Sequence, residues 1–238
     1  MYAYRTSLGP VDLAFTDRLD GVSDAPFASL NLALLGADDP GRRAENLRLV
    51  LADFAPGTAL VDLRQVHGAE VVDAAPGAPR PACDGVLTDR ADVVLMVRAA
   101  DCLPVLLADP GAGVVGAAHA GRQGLAAGVV PATVARMRER GARELTAWLG
   151  PHVCGACYEV PAAMRDEVGD QVPAAVATTW WGTPSLDLGA GVRAQLEAEG
   201  VRVVDEAARC TLESADLYSH RRDGERAGRQ AGLVRIRS

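Results

Sequence analysis

The feature that most restricts the fold is a set of seven short apolar runs, bounded mostly by glycine, proline or aspartate. Such runs are typical of buried or half-buried strands. They predict strands over Val11–Phe15, Ala59–Val66, Val93–Val97, Leu103–Ala108, Val114–Ala118, Leu145–Leu149 and Leu233–Ile236. None approaches the ~18–20 apolar residues that a membrane helix requires, so the sequence predicts no membrane span.

Four further segments predict helices. Asp39 and Pro40 are typical of an N-cap followed by proline in the first turn of a helix. Pro131 predicts either a helix start or a kink within the second helix. Strands and helices alternate without a strict βαβ order, which favours a mixed α+β domain whose helices cover a sheet or a pair of sheets. The predicted helices cover residues 40–53, 124–140, 161–168 and 190–199.

Two stretches, Ser23–Ala37 and the proline-rich Ala74–Pro81, predict loops. Neither is long enough to link independent domains, so we expect one domain over residues 1–238, and we expect a monomer. The N-terminus lacks the basic start and apolar core of a signal peptide. We therefore expect a cytoplasmic protein.

The charged residues exclude several classes of function. The chain carries 24 basic and 31 acidic residues, a net charge of −7, so we expect neither nucleic acid nor a membrane surface as a partner. All the basic residues are arginine. Without lysine the chain forms no Schiff base with pyridoxal phosphate and no P-loop or kinase-type nucleotide site.

Two short motifs have structural explanations. The G-x-G-x-x-G motif at Gly111–Gly116 lies between two predicted strands rather than before a helix, so it predicts a hairpin turn and not a dinucleotide site. The C-x-x-C motif at Cys154–Cys157 has no second pair, which a zinc ribbon requires. The residues after it argue against the helix of a redox site, and we expect reduced thiols.

His67, Cys102 and His119 each stand at the end or edge of a predicted strand. The start of one hairpin strand lies beside the end of the next, so Cys102 and His119 are expected to be close. Two imidazoles and one thiolate suit a three-ligand zinc site with one open position. The neighbouring Asp101 is a candidate proton acceptor or outer partner of such a site. Two alternatives remain open: a Cys–His nucleophile pair, and a buried cysteine with two core histidines.

An arginine-rich segment follows Tyr218 near the C-terminus, with four arginines in nine residues. Such a group is able to bind an anion. Composition alone favours a solvated, charge-balanced loop. The arginines are Arg221, Arg222, Arg226 and Arg229.

Seven segments, taken in order, resemble the YfiH-type proteins, also called laccase-domain or multicopper polyphenol oxidoreductase proteins and peptidoglycan editing factors. The segments are SLNLALLGADDP, RQVHGAEVV, CDGVLTD, ADCLPVLLADP, VVGAAHAG, LGPHVCGACYEV and YSHRRDGERAGR. They extend from about residue 20 to the end of the chain, so the resemblance covers nearly all of it.

The resemblance implies an α+β fold: a mixed β-sandwich flanked by helices, related to toxin-type cysteine deamidases. It places the ligands of a metal, usually zinc with copper as the alternative, at His67, Cys102 and His119. It implies phosphorolysis of adenosine, inosine or methylthioadenosine to the base and ribose 1-phosphate, and deamination of adenosine to inosine. Peptidoglycan precursor editing, copper-dependent polyphenol oxidation and a non-catalytic metal-binding module are the alternatives.

The residues suit these activities unequally. Deamination fits an open zinc site in which Asp101 and Cys102 are the catalytic residues. The resemblance suggests that Asn31 contacts the base or ribose. Multicopper oxidation fits poorly, because the chain has only four histidines. Phosphorolysis needs a phosphate site, for which the candidates are Arg64, Arg221, Arg222 and Arg229.

Two departures from the family pattern lie close to the predicted site. Arg122-Gln123 stands where the family usually has Trp-Arg after His-Ala-Gly. Ala156-Cys157 stands where the family usually has paired cysteines. These departures leave the preferred nucleoside open.

Overall fold

The computed structural model describes residues 1–237 as two β-sheets packed face to face, with helices on both outer faces. The first sheet has the strand order β1-β2-β13-β6-β3 and is antiparallel except for the β3–β6 pair. Its strands are β1 (Tyr2–Leu8), β2 (Val11–Thr16), β3 (Ala59–Asp62), β6 (Val93–Ala99) and β13 (Gln230–Ile236).

The second sheet has the order β12-β9-β7-β8-β5-β4. It is antiparallel in the middle and ends at each edge in a parallel pair. Its strands are β4 (Val71–Asp73), β5 (Gly85–Thr88), β7 (Leu103–Asp109), β8 (Val114–Ala120), β9 (Thr146–Leu149) and β12 (Arg202–Val204). A separate small hairpin consists of β10 (Val176–Thr178) and β11 (Pro184–Leu186).

The helices lie on the two outer faces of the sandwich or beside its loops. One of them, α1, covers the first sheet, and α2, α3 and α5 pack on the second. No helix within residues 1–237 is both long and apolar enough to cross a membrane. The helices are α1 (Pro40–Phe54), α2 (Arg122–Ala127), α3 (Val129–Glu139), α4 (Ala162–Gln171), α5 (Leu188–Ala198) and α6 (His220–Asp223).

Alternation along the central strands explains the layers. In β6, Leu95 and Val97 face the core between the sheets, whereas Val94 and Met96 face α1. Successive side chains of a strand point to opposite faces. A continuous apolar run therefore packs into the core between the sheets on one face and against the helices on the other. The same holds for β7, which is buried along its whole length. The mixed sandwich flanked by helices is therefore confirmed.

Most of the predicted elements are present, with four differences. The strand predicted over Ala59–Val66 ends at Asp62. The predicted long helix is two helices, because Gly128 adopts a left-handed φ of 80° between α2 and α3, while Pro131 fits inside the first turn of α3. The short helix α6 was not predicted from the sequence. The strands that were not predicted are β1, β4, β5, β10, β11 and β12.

Candidate metal centre and adjoining cleft

The β7–β8 hairpin brings Cys102 and His119 together, as the sequence predicts. His119 lies opposite Pro104, and Cys102 directly precedes β7. The G-x-G-x-x-G segment forms the connecting turn, where Gly113 has a φ of 65°. Both candidate ligands therefore stand at the same end of the second sheet.

His67 reaches this end of the sheet from a loop, not from a strand. After β3 the side chain of Gln65 accepts from the backbone N–H of Arg98 and donates to its carbonyl, at 2.9 and 2.7 Å, in place of strand pairing. His67 then adopts a left-handed φ of 62°. Its Nε2 lies 3.8 Å from Cys102 Sγ, and its ring meets that of His119 edge-on with centroids 4.9 Å apart.

Asp84 fixes the geometry of both histidines. Its carboxylate contacts His119 Nδ1 at 2.8 Å through one oxygen. The other oxygen accepts from the backbone N–H groups of Val66 and Gly68, at 3.1 and 2.8 Å, on either side of His67. Asp84 is fully buried. Sequence reasoning did not identify this residue as part of the site, although the CDGVLTD segment contains it.

The electrostatics favour an ionised pair in the absence of a metal. Burial opposes the thiolate of Cys102, but His119 and His67 outweigh burial and lower the pKa of the thiol to about 6. Burial likewise opposes the imidazolium of His119, but Cys102 and Asp84 raise its pKa to about 9. Near neutral pH the pair is therefore thiolate and imidazolium, which is also the state of a Cys–His nucleophile pair.

Gly121 allows the three side chains to approach one another. A Cβ at this position would lie 2.7 Å from His67 Cδ2 and 3.1 Å from Cys102 Sγ. Cβ atoms do not approach other heavy atoms as closely as 2.7 Å, so any residue other than glycine at position 121 would displace the ring of His67. The His-Ala-Gly segment thus provides a candidate ligand, His119, and, two residues later, the space that the cluster needs.

The donor set suits a zinc-like ion. One ligand atom each from His67, Cys102 and His119 lies within 4.8 Å of the others. Because Asp84 engages His119 Nδ1, the Nε2 of that ring is left for a metal, the arrangement usual for metal-bound histidines. Three protein ligands leave a fourth position open, as in catalytic zinc sites.

Asp101 lies next to this cluster but its carboxylate is already engaged. It accepts from Thr211 Oγ1 and from the backbone N–H of Arg221, both at 2.6 Å. Asp101 is buried and has a left-handed φ of 87°. Its observed contacts position the segments around Thr211 and Arg221.

A cleft of about 730 Å³ opens beside the cluster, within the size range of small-molecule sites. Arg64 is exposed and lines this cleft. Arg229 is half-buried there, with Nη1 donating to the carbonyls of Ala227 and Gly228. Arg98 also lines the cleft, but it forms a buried salt bridge with Asp62.

Asn31 lines the same cleft, although its amide is largely occupied. Its Oδ1 accepts from the backbone N–H groups of Ala33 and Arg229, and its Nδ2 donates to Asp38. These bonds fix the backbone that carries Arg229. These contacts place Asn31 in the cleft wall.

The structure does not bring all the predicted arginines to the cleft. Arg222 donates to four backbone carbonyls of residues 211–217 and to Asp223, so it secures that loop. Arg221 stacks over the ring of Tyr158 with 5.0 Å to the centroid and donates to the carbonyl of Glu159. Neither side chain lines the cleft beside the cluster.

The C-x-x-C motif does not stand alone in the fold. Cys210, which is distant in sequence, brings a third thiol to Cys154 and Cys157, and Glu213 adds a carboxylate. Sequence spacing gave no signal for this association.

Comparison with known proteins relates most of the chain to one family. Residues 12–237 match the family model described as multi-copper polyphenol oxidoreductase laccase. A Streptomyces coelicolor protein named purine nucleoside phosphorylase is 50% identical over 98% of this chain and 99% of its own. A Neisseria meningitidis structure matches with a TM-score of 0.89 at 32% identity, over 99% of each chain. A Geobacillus stearothermophilus structure matches with a TM-score of 0.85 at 33% identity, over 96% of this chain and 93% of its own.

Proposed function

The chain belongs to the multi-copper polyphenol oxidoreductase laccase family, and from its similarity to relatives named purine nucleoside phosphorylase we propose that it cleaves purine nucleosides with phosphate. The observation that carries the proposal is the cleft in which the His67–Cys102–His119 cluster meets Arg64 and Arg229, which form no buried salt bridge within residues 1–237. The names of the relatives indicate the reaction class, and the cleft is large enough for a nucleoside and a phosphate.

In phosphorolysis a phosphate oxygen bonds to C1′ of the ribose while the C1′–N9 bond breaks, and the purine leaves with a proton. The phosphate dianion must lie against the sugar, and guanidinium groups bind such an anion with paired donors. Arg64 offers an exposed guanidinium, and Arg229 offers the donors not bonded to Ala227 and Gly228. We assign phosphate binding to these two residues rather than to Arg221 and Arg222.

Deamination of adenosine is the second activity within this proposal. Water adds at C6 and ammonia leaves, so the reaction needs an activated water and a proton carrier. The proposed zinc ligands are His67, Cys102 and His119; when bound, Zn²⁺ supplies Lewis acidity and lowers the pKa of a water molecule. Asp84 orients the His119 ring. We assign Asp101 a positioning role through Thr211 and Arg221, because both its oxygens are engaged.

Chromatography of adenosine incubated with the protein, with and without phosphate, tests the proposal. Adenine that forms only with phosphate shows phosphorolysis, and inosine that forms without phosphate shows deamination. His119→Ala should abolish both reactions, whereas Cys83→Ala, which removes a buried thiol of the sandwich core, should abolish neither. Unchanged adenosine with folded, zinc-loaded protein would overturn the proposal and favour a cell-wall precursor as substrate.

A further inference from the structure

Three cysteines that the proposed reaction does not use converge where β9 ends, at the same end of the second sheet as Cys102. Cys154 and Cys157 follow β9, and Cys210 follows β12. Their Sγ atoms and a carboxylate oxygen of Glu213 all lie within 4.8 Å of one another. All three cysteines are free thiols.

We propose that Cys154, Cys157, Cys210 and Glu213 form a second metal site, which takes a thiophilic divalent ion of the zinc class and holds two loops together. Four ligands around a tetrahedral ion with metal–sulfur bonds of about 2.3 Å lie roughly 3.8 Å apart. The observed spacing needs only a small contraction to reach that value. Thiolate ligands select zinc-class ions over magnesium or calcium.

The backbone already has the form that a metal-binding C-x-x-C turn requires. The N–H groups of Cys157 and Tyr158 both donate to the carbonyl of Cys154, at 3.0 and 2.9 Å. The turn therefore places both thiols on one side, where their sulfur atoms lie within 4.8 Å of each other.

The Cys210 segment is paired to this turn by backbone hydrogen bonds. His152 donates to the carbonyl of Arg209, and Thr211 donates to the carbonyl of His152, at 3.1 and 3.0 Å. This bridge sets Cys210 beside Cys154 before any metal binds. Preorganised ligands lower the conformational cost of binding an ion.

Four protein donors close the coordination shell, which is typical of structural rather than catalytic zinc. Cysteine binds a metal as the thiolate, so metal binding at this site releases protons. The neighbours of two of these cysteines contact residues next to the His67–Cys102–His119 cluster. Thr211, next to Cys210, donates to Asp101, and Tyr158, next to Cys157, stacks under Arg221.

The test separates the two candidate metal sites by mutation. A Cys102→Ser/His119→Ala variant removes ligands of the first site and should still bind one Cd²⁺ or Zn²⁺ per chain. Its Cd²⁺ complex should show the ultraviolet thiolate-to-metal charge-transfer band. Adding Cys154→Ser, Cys157→Ser and Cys210→Ser should remove both the ion and the band, whereas adding Cys83→Ala should remove neither.

Metal content by mass spectrometry, the charge-transfer band and thermal melting together report the result. A saturating ion should raise the Tm of the Cys102→Ser/His119→Ala variant by about 5 °C or more. Glu213→Gln should weaken the affinity about tenfold or more in competition with a chelator, and unchanged affinity would remove Glu213 from the ligand set. A Cys102→Ser/His119→Ala protein that binds no ion while circular dichroism shows it folded, or that holds a disulfide between these cysteines, would overturn the proposal.

Discussion

Asp84 and His119 form a buried contact of 2.8 Å in which one carboxylate also holds the loop around His67. A single side chain therefore sets both the rotation of one imidazole and the position of the other. Outer partners of this kind fix which ring nitrogen faces a metal.

Asp84→Asn should weaken zinc binding at the His67–Cys102–His119 cluster by about 10–100-fold. A neutral amide raises the basicity of the His119 ring less than a carboxylate does, and it holds the two backbone N–H groups less well. Chelator competition measures the affinity, with exposed Asp92→Asn as the control for loss of one carboxylate. Equal affinity in the two variants would show that Asp84 does not orient the ligands.

Gly121→Ala should abolish metal binding and activity while the protein remains folded. The new methyl would lie 2.7 Å from the ring of His67, so that loop must move away from Cys102. Gly111→Ala is the matched control, because its methyl would meet its nearest neighbour at 3.4 Å. Retention of bound zinc in Gly121→Ala would contradict the arrangement of the cluster.

The Cys102 thiol should react with iodoacetamide in chelator-treated protein, with a rate that rises through an inflection near pH 6. The pKa of this thiol is lowered to about 6, so the reactive thiolate is present above that pH and is lost below it. Cys83, whose pKa burial raises to about 12, should stay unmodified. Peptide mass mapping measures both rates, and bound Zn²⁺ should protect Cys102.

Arg64→Ala and Arg222→Ala should change different properties, the first the KM for phosphate and the second the Tm. Loss of Arg64 should raise the KM for phosphate about tenfold or more, since a charged hydrogen bond contributes about 1.5–3 kcal/mol, with Tm unchanged. Loss of Arg222, which secures the 211–217 loop, should lower Tm by about 2–6 °C. Steady-state kinetics measure the KM and melting curves measure the Tm. A raised KM for phosphate in Arg222→Ala but not in Arg64→Ala would move the assignment of phosphate binding from Arg64 to Arg222.

Asp109 should make stability depend on pH at the acid end. Burial opposes its ionisation, but the backbone N–H groups of Arg143, Ala112 and Glu144 outweigh burial and lower the pKa of its carboxyl. The unfolded carboxyl titrates near ~3.9, so the contribution is complete above that pH and is lost as pH falls through the lower folded pKa.

Urea unfolding of the wild type and Asp109→Asn at a series of pH values measures this contribution. The difference in unfolding free energy should be constant above about pH 5 and should shrink as the pH falls below 4. A difference that is independent of pH would mean that Asp109 acts by shape rather than by charge.

The sequence predicts local features of the site better than distant ones. Cys102 and His119 are predictable as neighbours because a tight hairpin fixes the register of its two strands. Asp84 is 35 residues from His119, and Cys210 is distant from Cys154, so only the packing of whole elements reveals those contacts. The alternating pattern predicts a strand over Ala59–Val66, but the strand ends at Asp62, and beyond it the side chain of Gln65 takes the place of backbone pairing with Arg98.

The arginine-rich segment after Tyr218 also shows what the sequence does not predict. Four arginines in nine residues are able to bind an anion, although composition alone favours a solvated loop, and neither interpretation says which of them reach the cleft. Arg222 bonds to carbonyls of its own loop and does not line the cleft, whereas Arg229 lines the cleft while donating to two neighbouring carbonyls. Arg64, which lies far from that segment in sequence, joins Arg229 only through the fold.

The position of β13 has a consequence for synthesis of the protein. This strand is formed by residues 230–236, yet it lies in the middle of the first sheet between β2 and β6. Those two apolar strands therefore gain their neighbour only after residues 230–236 have been synthesised. The nascent polypeptide would expose both edges until then, which makes it a natural client for chaperones. Because Arg229 directly precedes β13 in the chain, the cleft is completed at the same moment as the sheet.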